Sequence, residues 1–420
     1  MESKRIPQSS STVLRAPVVW FMALAAALAT ASVYLLQPAV AEVAGSLDTS
    51  AAVIGTALAF GPIGYLAGLV LLVPLVDRFA PRTVVAAQFA ALAAASAAGA
   101  AVPSSWALGA VIGVVGAGSA VGAQLSSVAG RFAGARRQAT VLGIVTAGIS
   151  AGILAGRIVG GWLTEVIGWR AMLLVFAVPC VVVAVTAFAV LPSVGGRART
   201  GYLDTVRGIP GLFARFAALR WAAGRGALWF FAFCAIWAGL AVALSQPPYS
   251  YSPERIGLYA CAGLAGVVAT RIAGSWTDRV GPRKVIVVGL ALALASVLVL
   301  ALALSNLAVT LICLGLFDAG LFAAQVANQS AVLAIDASAP ARFNSAYMSV
   351  YFVGGSLGTA FGAAAVTWFG WSGLVAFAAV ATAVAGIITL AEPIRVDAEG
   401  SRSDGELDTG ARVSATRGER

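Results

Sequence analysis

The chain contains no histidine, and only 10% of its residues are charged. The first absence removes the usual imidazole switch, the commonest metal ligand and most triad chemistry. Its four cysteines, Cys180, Cys234, Cys261 and Cys313, each stand alone inside an apolar stretch. None forms a C-x-x-C pair, so neither a zinc site nor a disulfide framework is indicated, and they read as small buried apolar residues. No Gly-rich phosphate loop of the Walker type is present, which excludes ATP as an energy source. There is no catalytic cluster and no sizeable soluble domain. An enzyme is therefore not expected, nor a metal or other cofactor.

The shortage of charge says the most. A soluble domain carries about 25% charged residues. A chain of 420 residues that is 60% hydrophobic must present most of its surface to lipid. A spanning helix needs roughly 20 apolar residues. Apolar runs between polar breaks give twelve such spans, near 17–40, 51–76, 83–102, 106–130, 139–163, 170–191, 226–245, 256–275, 283–304, 307–333, 345–368 and 372–391. Very short connections such as Gly370-Trp371-Ser372 force tight antiparallel neighbours. Lys4, Arg5 and Arg15 precede the first apolar run without a cleavage pattern, so it reads as a retained span.

The net charge of +10 follows topology and does not indicate nucleic acid. With the N-terminus inside, all but four of the 27 basic residues fall in inner segments, the exceptions being Arg157, Arg170, Arg255 and Arg271. The positive-inside rule then places both termini in the cytoplasm. The longest inner connection, 193–225, interleaves Arg197, Arg199, Arg207, Arg215, Arg220 and Arg225 with Leu212, Phe213, Phe216, Leu219 and Trp221. That mix suits an interfacial helix, and a solvated linker is the other reading. The tail 392–420 is charged, rich in Gly and Ser, and expected to be disordered.

The two halves repeat. Gly152, Gly156, Gly160, Gly168 and Trp169 recur 202 residues later as Gly354, Gly358, Gly362, Gly370 and Trp371. Asp77-Arg78-Phe79-Ala80-Pro81-Arg82 recurs after 201 residues as Asp278-Arg279-Val280-Gly281-Pro282-Arg283, and Gln124 falls on Gln325. The expected architecture is all-α, with two pseudo-symmetric six-helix bundles at 1–192 and 226–391 in the same orientation. This design places a binding site at the midplane between the bundles.

The run Gly274-Ser275-Trp276-Thr277-Asp278-Arg279-Val280-Gly281-Pro282-Arg283-Lys284 resembles the signature loop of the major facilitator superfamily. Asp77 to Arg82 resembles its first-half copy, with Val73 for the leading Gly and Ala80 for the later one. A narrower likeness is to the bacterial drug:proton antiporter-like branch, the inner-membrane or arabinose-type efflux permeases. It is carried by Tyr34-x-x-Gln37-Pro38 with Glu42, by Gly152 to Arg157, by Asp318 to Gln329 and by Arg342 to Met348. The chain departs from that pattern at Ile112, where an Arg of span 4 is expected, and at Gln325, where the branch often has His. The proton path then runs through other residues, or coupling is absent.

The resemblance implies a secondary transporter of the bacterial cytoplasmic membrane. Its partners would be a small molecule, protons and the bilayer, and it would act as a monomer. Export is the reading it favours, with an importer or uncoupled facilitator as the alternative. It also implies a cavity lined by spans 1, 4, 7 and 10. Tyr34, Gln37, Gln124, Trp237, Gln325, Asn328 and Gln329 are candidate lining residues, joined by Tyr347 and Tyr351 of span 11. So sparse a polar lining suits a neutral or weakly charged, partly apolar solute.

Asp318 lies 11 residues into span 10, about 16 Å deep at 1.5 Å per residue. An ionised Asp at that depth costs about 2.5–3.5 kcal/mol and usually marks a function. Burial disfavours its charge and a nearby cation favours it, so passage between two environments would take up and release a proton. Arg271 is the candidate partner. A static ion pair that fixes helix packing is the other reading. Arg157 could snorkel to the outer interface, or close an outer gate against Glu42, Asp48 or Glu165. Arg78, Arg82, Arg131, Gly274, Arg279, Arg283 and Lys284 belong to the gating loops with Asp77, Asp278 and Gly281. A carboxylate at Asp77 can accept backbone N–H groups from the start of a facing helix. The resemblance implies span 11 as that helix, with Arg131 nearby, in a contact that forms when the inner side closes. Asp77→Asn should then lower transport at unchanged expression, measured as uptake per molecule in vesicles; full activity would exclude the latch.

Overall fold

The computed structural model describes residues 15–132, 138–193, 209–336 and 340–393. Among these residues there is helix and no strand. In lipid, a backbone without water must satisfy its own hydrogen bonds, and a helix does so within one segment. Ten helical segments are long and apolar enough to cross a membrane. Two of them run for 51 and 50 residues, and each is broken once by a glycine of positive φ, Gly168 (φ 78°) and Gly370 (φ 71°). Counting the arms on either side of each break separately gives twelve segments, α1–α12.

These are α1 (Ala16–Tyr34), α2 (Ala51–Val76), α3 (Pro81–Ala100), α4 (Ser105–Ala129), then α5 and α6 as the arms of Gln138–Val190. The second half has α7 (Ala217–Ser245), α8 (Pro253–Val280), α9 (Pro282–Ala303), α10 (Leu307–Leu333), then α11 and α12 as the arms of Pro340–Ala391. Trp169 and Trp371 follow the two breaks and mark one end of the bundle, here the Trp end. The Asp-Arg loops mark the other, the loop end.

The two ends start their helices differently. At the Trp end, Ser50, Ser104, Ser252 and Asn306 each accept a backbone N–H three residues on, at 3.2–3.4 Å. Such caps satisfy N–H groups that a helix start leaves open. They are themselves repeated at 202 residues, Ser50 with Ser252 and Ser104 with Asn306. At the loop end, α3 and α9 start instead with Pro81 and Pro282, whose missing N–H costs nothing in the first turn.

Between helices in lipid there is little hydrophobic drive, so association depends on close packing at small residues. A Cβ added at Gly148, Gly152, Gly156 or Gly160 would lie 2.3–2.5 Å from a carbonyl oxygen of α1 or of Leu35 just beyond it. The equivalent stripe Gly354, Gly358 and Gly362 meets Ala227, Phe231 and Ala235 of α7 in the same way.

The halves touch through two seams near the Trp end, and the seams are repeats of one another. In one, Gly161 of α5 lies against the Pro253 backbone of α8, and Gly257 of α8 against the Arg157 backbone of α5. In the other, Gly55 of α2 sits on Ala363 of α11, and the Ser356 hydroxyl donates to the Ala59 carbonyl. Gly55 pairs with Gly257, and Gly161 with Ala363, at 202 residues.

Several boundaries shift by five or six residues, with α1 ending at Tyr34 and α8 running on to Val280, and two further shifts bear on the site. Helix α5 continues past 163 to the break at Gly168, because nothing in Trp162 to Ile167 interrupts it. Helix α7 begins at Ala217, so 217–225 are its first turns and not linker. Ahead of it, a short helix Ile209–Arg215 buries Leu212 against Leu219, Phe343 and Tyr347, and Arg220 donates to the Phe213 and Ala214 carbonyls at its end. The rest of the proposed interfacial segment and the tail from 394 lie outside the described residues.

Gly160→Val would press a side chain onto the Leu35 carbonyl, whereas Gly143 has open space around it. The valine variant should melt several degrees below wild type in detergent, and Gly143→Ala should match wild type by the same fluorescence assay.

Candidate functional site

A cavity of about 320 Å³ lies between the halves, near the lower end of the range for small-molecule sites. Its wall is largely aromatic. The Phe230 and Tyr351 rings stack at 4.0 Å, Phe352 meets Phe230 edge-on at 5.5 Å, and Tyr65 reaches Phe352 from the opposite half at 4.7 Å. Phe322 meets Phe233 edge-on at 5.7 Å. Such offset and edge-on pairs suit ring quadrupoles.

Arg157 is the one charged residue among those lining this cavity. It lies 11 residues below the Gly168 break, about 16 Å from that helix end. Its exposure is 3%. The longer α5 explains why it neither snorkels to the interface nor meets Glu42. Its Nε donates to Gln37 Oε1 at 2.6 Å. Its guanidinium stands over the rings of Trp237 at 4.0 Å, Tyr34 at 5.0 Å and Phe233 at 5.9 Å.

Trp237 joins this cation to a carboxylate. Its Nε1 donates to Asp318 Oδ1 at 3.1 Å. An indole holds a cation on its electron-rich face and an anion at its N–H edge, and here it does both. Asp318 is 1% exposed, and its charge interacts with that of Arg157. Arg157 belongs to the first half and Trp237 and Asp318 to the second, so the chain of contacts crosses the interface. The expected partner Arg271 is instead exposed on α8, nearer the loop end. Depth along a helix fixed its height but not the face it occupies.

Of the expected lining residues, Tyr34, Gln37, Gln325 and Tyr351 do face the cavity. Five others do not: Trp237 lies behind Arg157, between it and Asp318, and the remaining four are drawn into packing within their own half. Gln124 donates to the Leu72 carbonyl at 2.6 Å, where the α-helical part of α2 ends ahead of Pro74. Asn328 accepts from Arg225 Nε at 2.7 Å and donates to the Ala222 carbonyl at 3.0 Å. Gln329 donates to Asn344 at 2.9 Å, and the fully buried Tyr347 donates to Gln325. The lining comes from α2, α5 and α11 as well as α1, α7 and α10, through Leu58, Pro62, Tyr65, Ile149, Ile153 and Thr359. Apolar residues on glycine-rich helices gave no sequence signal of this.

Sequence reasoning counted Arg225 only as a linker cation. It is 3% exposed and forms an ion pair with Glu392 at the end of α12. Together with Asn328 it ties α7, α10 and α12 at the loop end.

The outer candidate Glu42 serves the α5–α6 turn, accepting from the Trp169 backbone N–H at 3.4 Å. Partial burial pushes its carboxyl above the usual range, opposed by that N–H and aided by the charge of Glu165. Trp169 Nε1 donates to Ser46 at 2.8 Å, and Arg170 reaches the Val102 carbonyl at 3.1 Å.

The loop residues keep the repeat. Arg283 donates to the Leu390 carbonyl at the end of α12, while Arg82 lies over Phe188 at 5.1 Å near the end of α6. Cations suit helix C-termini. Gly281 has φ 84°, whereas Ala80 sits at φ −61°, so the first copy has no need of glycine there. Pro74 converts Val73–Asp77 to a 3₁₀ turn, whereas α8 stays helical through Asp278. A Cβ added at Gly274 would meet nothing within 4 Å among the described residues, and Asp278, Arg279 and Lys284 are exposed. Arg78 has interactions of its own. The side chains of Asp77 and Arg131 lie outside the described residues.

The chain matches the family model of the Major Facilitator Superfamily over residues 22–249 and again over 226–414. It is 30% identical over 359 residues to the uncharacterized transporter YgaY of Escherichia coli O157:H7, covering 85% of this chain and 91% of that protein. It is 32% identical over 391 residues to "Probable transporter SCO4007" of Streptomyces coelicolor, covering 93% and 90%. Among solved structures, a bacterial homolog to the human lysosomal transporter Spinster, inward-facing and occupied, superposes with a TM-score of 0.72 at 13% identity, covering 91% of this chain and 97% of that one. A mutant of the nucleoside transporter NupG gives 0.72 at 11% identity, covering 89% and 99%.

Breaking a buried ion pair on one side leaves a charge uncompensated, whereas replacing both partners by apolar groups is often neutral. Glu392→Leu should therefore lower the detergent melting temperature by several degrees, and Arg225→Met with Glu392→Leu should recover most of the loss. Equal losses in both variants would exclude a role for the pair.

Proposed function

The chain belongs to the major facilitator superfamily, and on that premise we propose that this multi-pass membrane transporter is a proton-coupled exporter of a small neutral or weakly charged, partly apolar molecule. The proposed setting is a bacterial cytoplasmic membrane, with both termini inside and the protein acting as a monomer. One observation carries the reading. A carboxylate with almost no exposure, Asp318, is connected through Trp237 to a cation of the opposite half that lines the cavity.

The coupling follows from charge balance. Ionised Asp318 stabilises Arg157 across the indole and so favours the seam in which the Arg157 backbone meets Gly257. Protonating Asp318 removes that balance. A solute that engages Arg157 from the cavity competes for the same guanidinium. Either event loosens the Trp-end seam, which would face the outside: the solute-loaded carrier opens it and closes the loop end, and the protonated, solute-free carrier makes the reverse stroke and releases its proton inside. Solute leaves on one stroke and a proton enters on the other, as alternating access between two packed states requires. Arg271 is no longer needed as partner. The gating loops are proposed to hold the inner side shut in the alternate state.

A deletion strain screened for sensitivity against a compound panel should identify a substrate. In inverted vesicles, a proton gradient with the lumen acid should fail to accumulate it if the protein works as an importer or facilitator. Export predicts accumulation driven by that gradient with the wild type, and its loss in Asp318→Asn. Gradient-driven accumulation that survives in Asp318→Asn would overturn the assignment of the proton site.

A further inference from the structure

Arg157 is held in a way that leaves part of it available to a solute. Among the described residues its hydrogen bond is the one from Nε to Gln37. An arginine carries five N–H donors in a planar fork. The remaining four, on the two terminal nitrogens, sit in a group that lines the cavity and is flanked by ring faces that accept no conventional hydrogen bond. The terminal nitrogens are not among the fully buried atoms that lack a partner, so they open on the cavity, and a ligand that supplies an acceptor gains a charge-assisted hydrogen bond there.

When Asp318 is ionised, the charge of that fork is balanced across the Trp237 indole. Asp318 faces Trp237 from α7, Gly263 and Gly266 from α8, and interacts with Arg157 from α5. Asp318 does not itself line the cavity. It cannot contact a bound solute directly in this state and acts through Arg157. A carboxylate on the fork would add a second negative charge to one balanced pair in a water-poor site, a costly arrangement. A neutral carbonyl or amide oxygen satisfies the fork without it. Beyond the fork, the stacked Phe230–Tyr351 pair and the Phe322 ring offer a flat apolar wall.

We propose that the cavity selects a neutral solute with an aromatic body and a carbonyl-type acceptor, and that Asp318 is the positioning residue that sets this charge preference through Arg157. The proposal rests on the cavity being the transport site and refines its substrate class.

Binding of two isosteric probes, naphthalene-2-carboxamide and naphthalene-2-carboxylate, to the purified full-length protein tests it by calorimetry at one alkaline pH. The wild type should bind the carboxamide roughly tenfold more tightly than the carboxylate. Asp318→Asn should reverse that order, since Arg157 is then unbalanced. Arg157→Gln with Asp318→Asn should bind both about equally. A structural role for Asp318 alone would weaken both probes together and leave their order unchanged. Carboxylate preference in the wild type, no binding of either probe, or an unchanged order in Asp318→Asn would overturn the proposal. The wild-type comparison decides even where a variant fails to fold. The readout involves no gradient, so coupled transport without this preference would leave the transport reading standing. The preference without coupling would do the converse.

Discussion

The whole architecture depends on how closely two helix backbones can approach where there is no water to drive them together. Lipid tails are as apolar as leucine, so burying leucine between helices gains little, and contact at small residues takes over. The stripe from Gly148 to Gly160 lays α5 on α1, and the stripe from Gly354 to Gly362 lays α11 on α7. With those backbones touching, each stripe locks two helices of one half together, and the cavity lies between the halves. The polar groups follow from the same constraint. In a medium without water, Gln124, Asn328, Gln329 and Tyr347 find partners inside their own half.

Arg157 and Asp318 are different because their link crosses the interface. Neither has a charged counterpart in the repeat: Thr359 stands where Arg157 would fall, and Gly116 where Asp318 would. Duplication supplied the scaffold twice, and the charge occurs once on each side. An indole is a fitting intermediary. It neutralises neither group by direct contact, yet it presents a suitable surface to both.

The architecture was largely legible from the residues. The repeat of Gly stripes, Trp positions and Asp-Arg loops forecast two equivalent bundles. The same spacing also carried the helix caps Ser50, Ser104, Ser252 and Asn306. The site was legible only in part. Counting residues along a helix measures depth, and Asp318 is 1% exposed. The count gives no azimuth, so Arg271 was chosen over Arg157. A boundary drawn five residues short at 163 put Arg157 near the surface. In the sequence Arg225 counts only as a linker cation, because a basic residue in a basic connection looks like topology. Its role becomes visible only once α7 is seen to begin at Ala217 and Glu392 comes round to meet it.

The two seams at the Trp end have a mechanical consequence. They are built from equivalent positions, so their shapes are nearly interchangeable, yet one carries Arg157 and the other Thr359. A proton at Asp318 can therefore alter one seam and has no charged handle on the other. If that proton loosens α5 from α8, the α2–α11 seam stays as the hinge and the α5–α8 seam behaves as a clasp. The molecule then swings open from one side, like a book on its spine, instead of parting evenly down the middle.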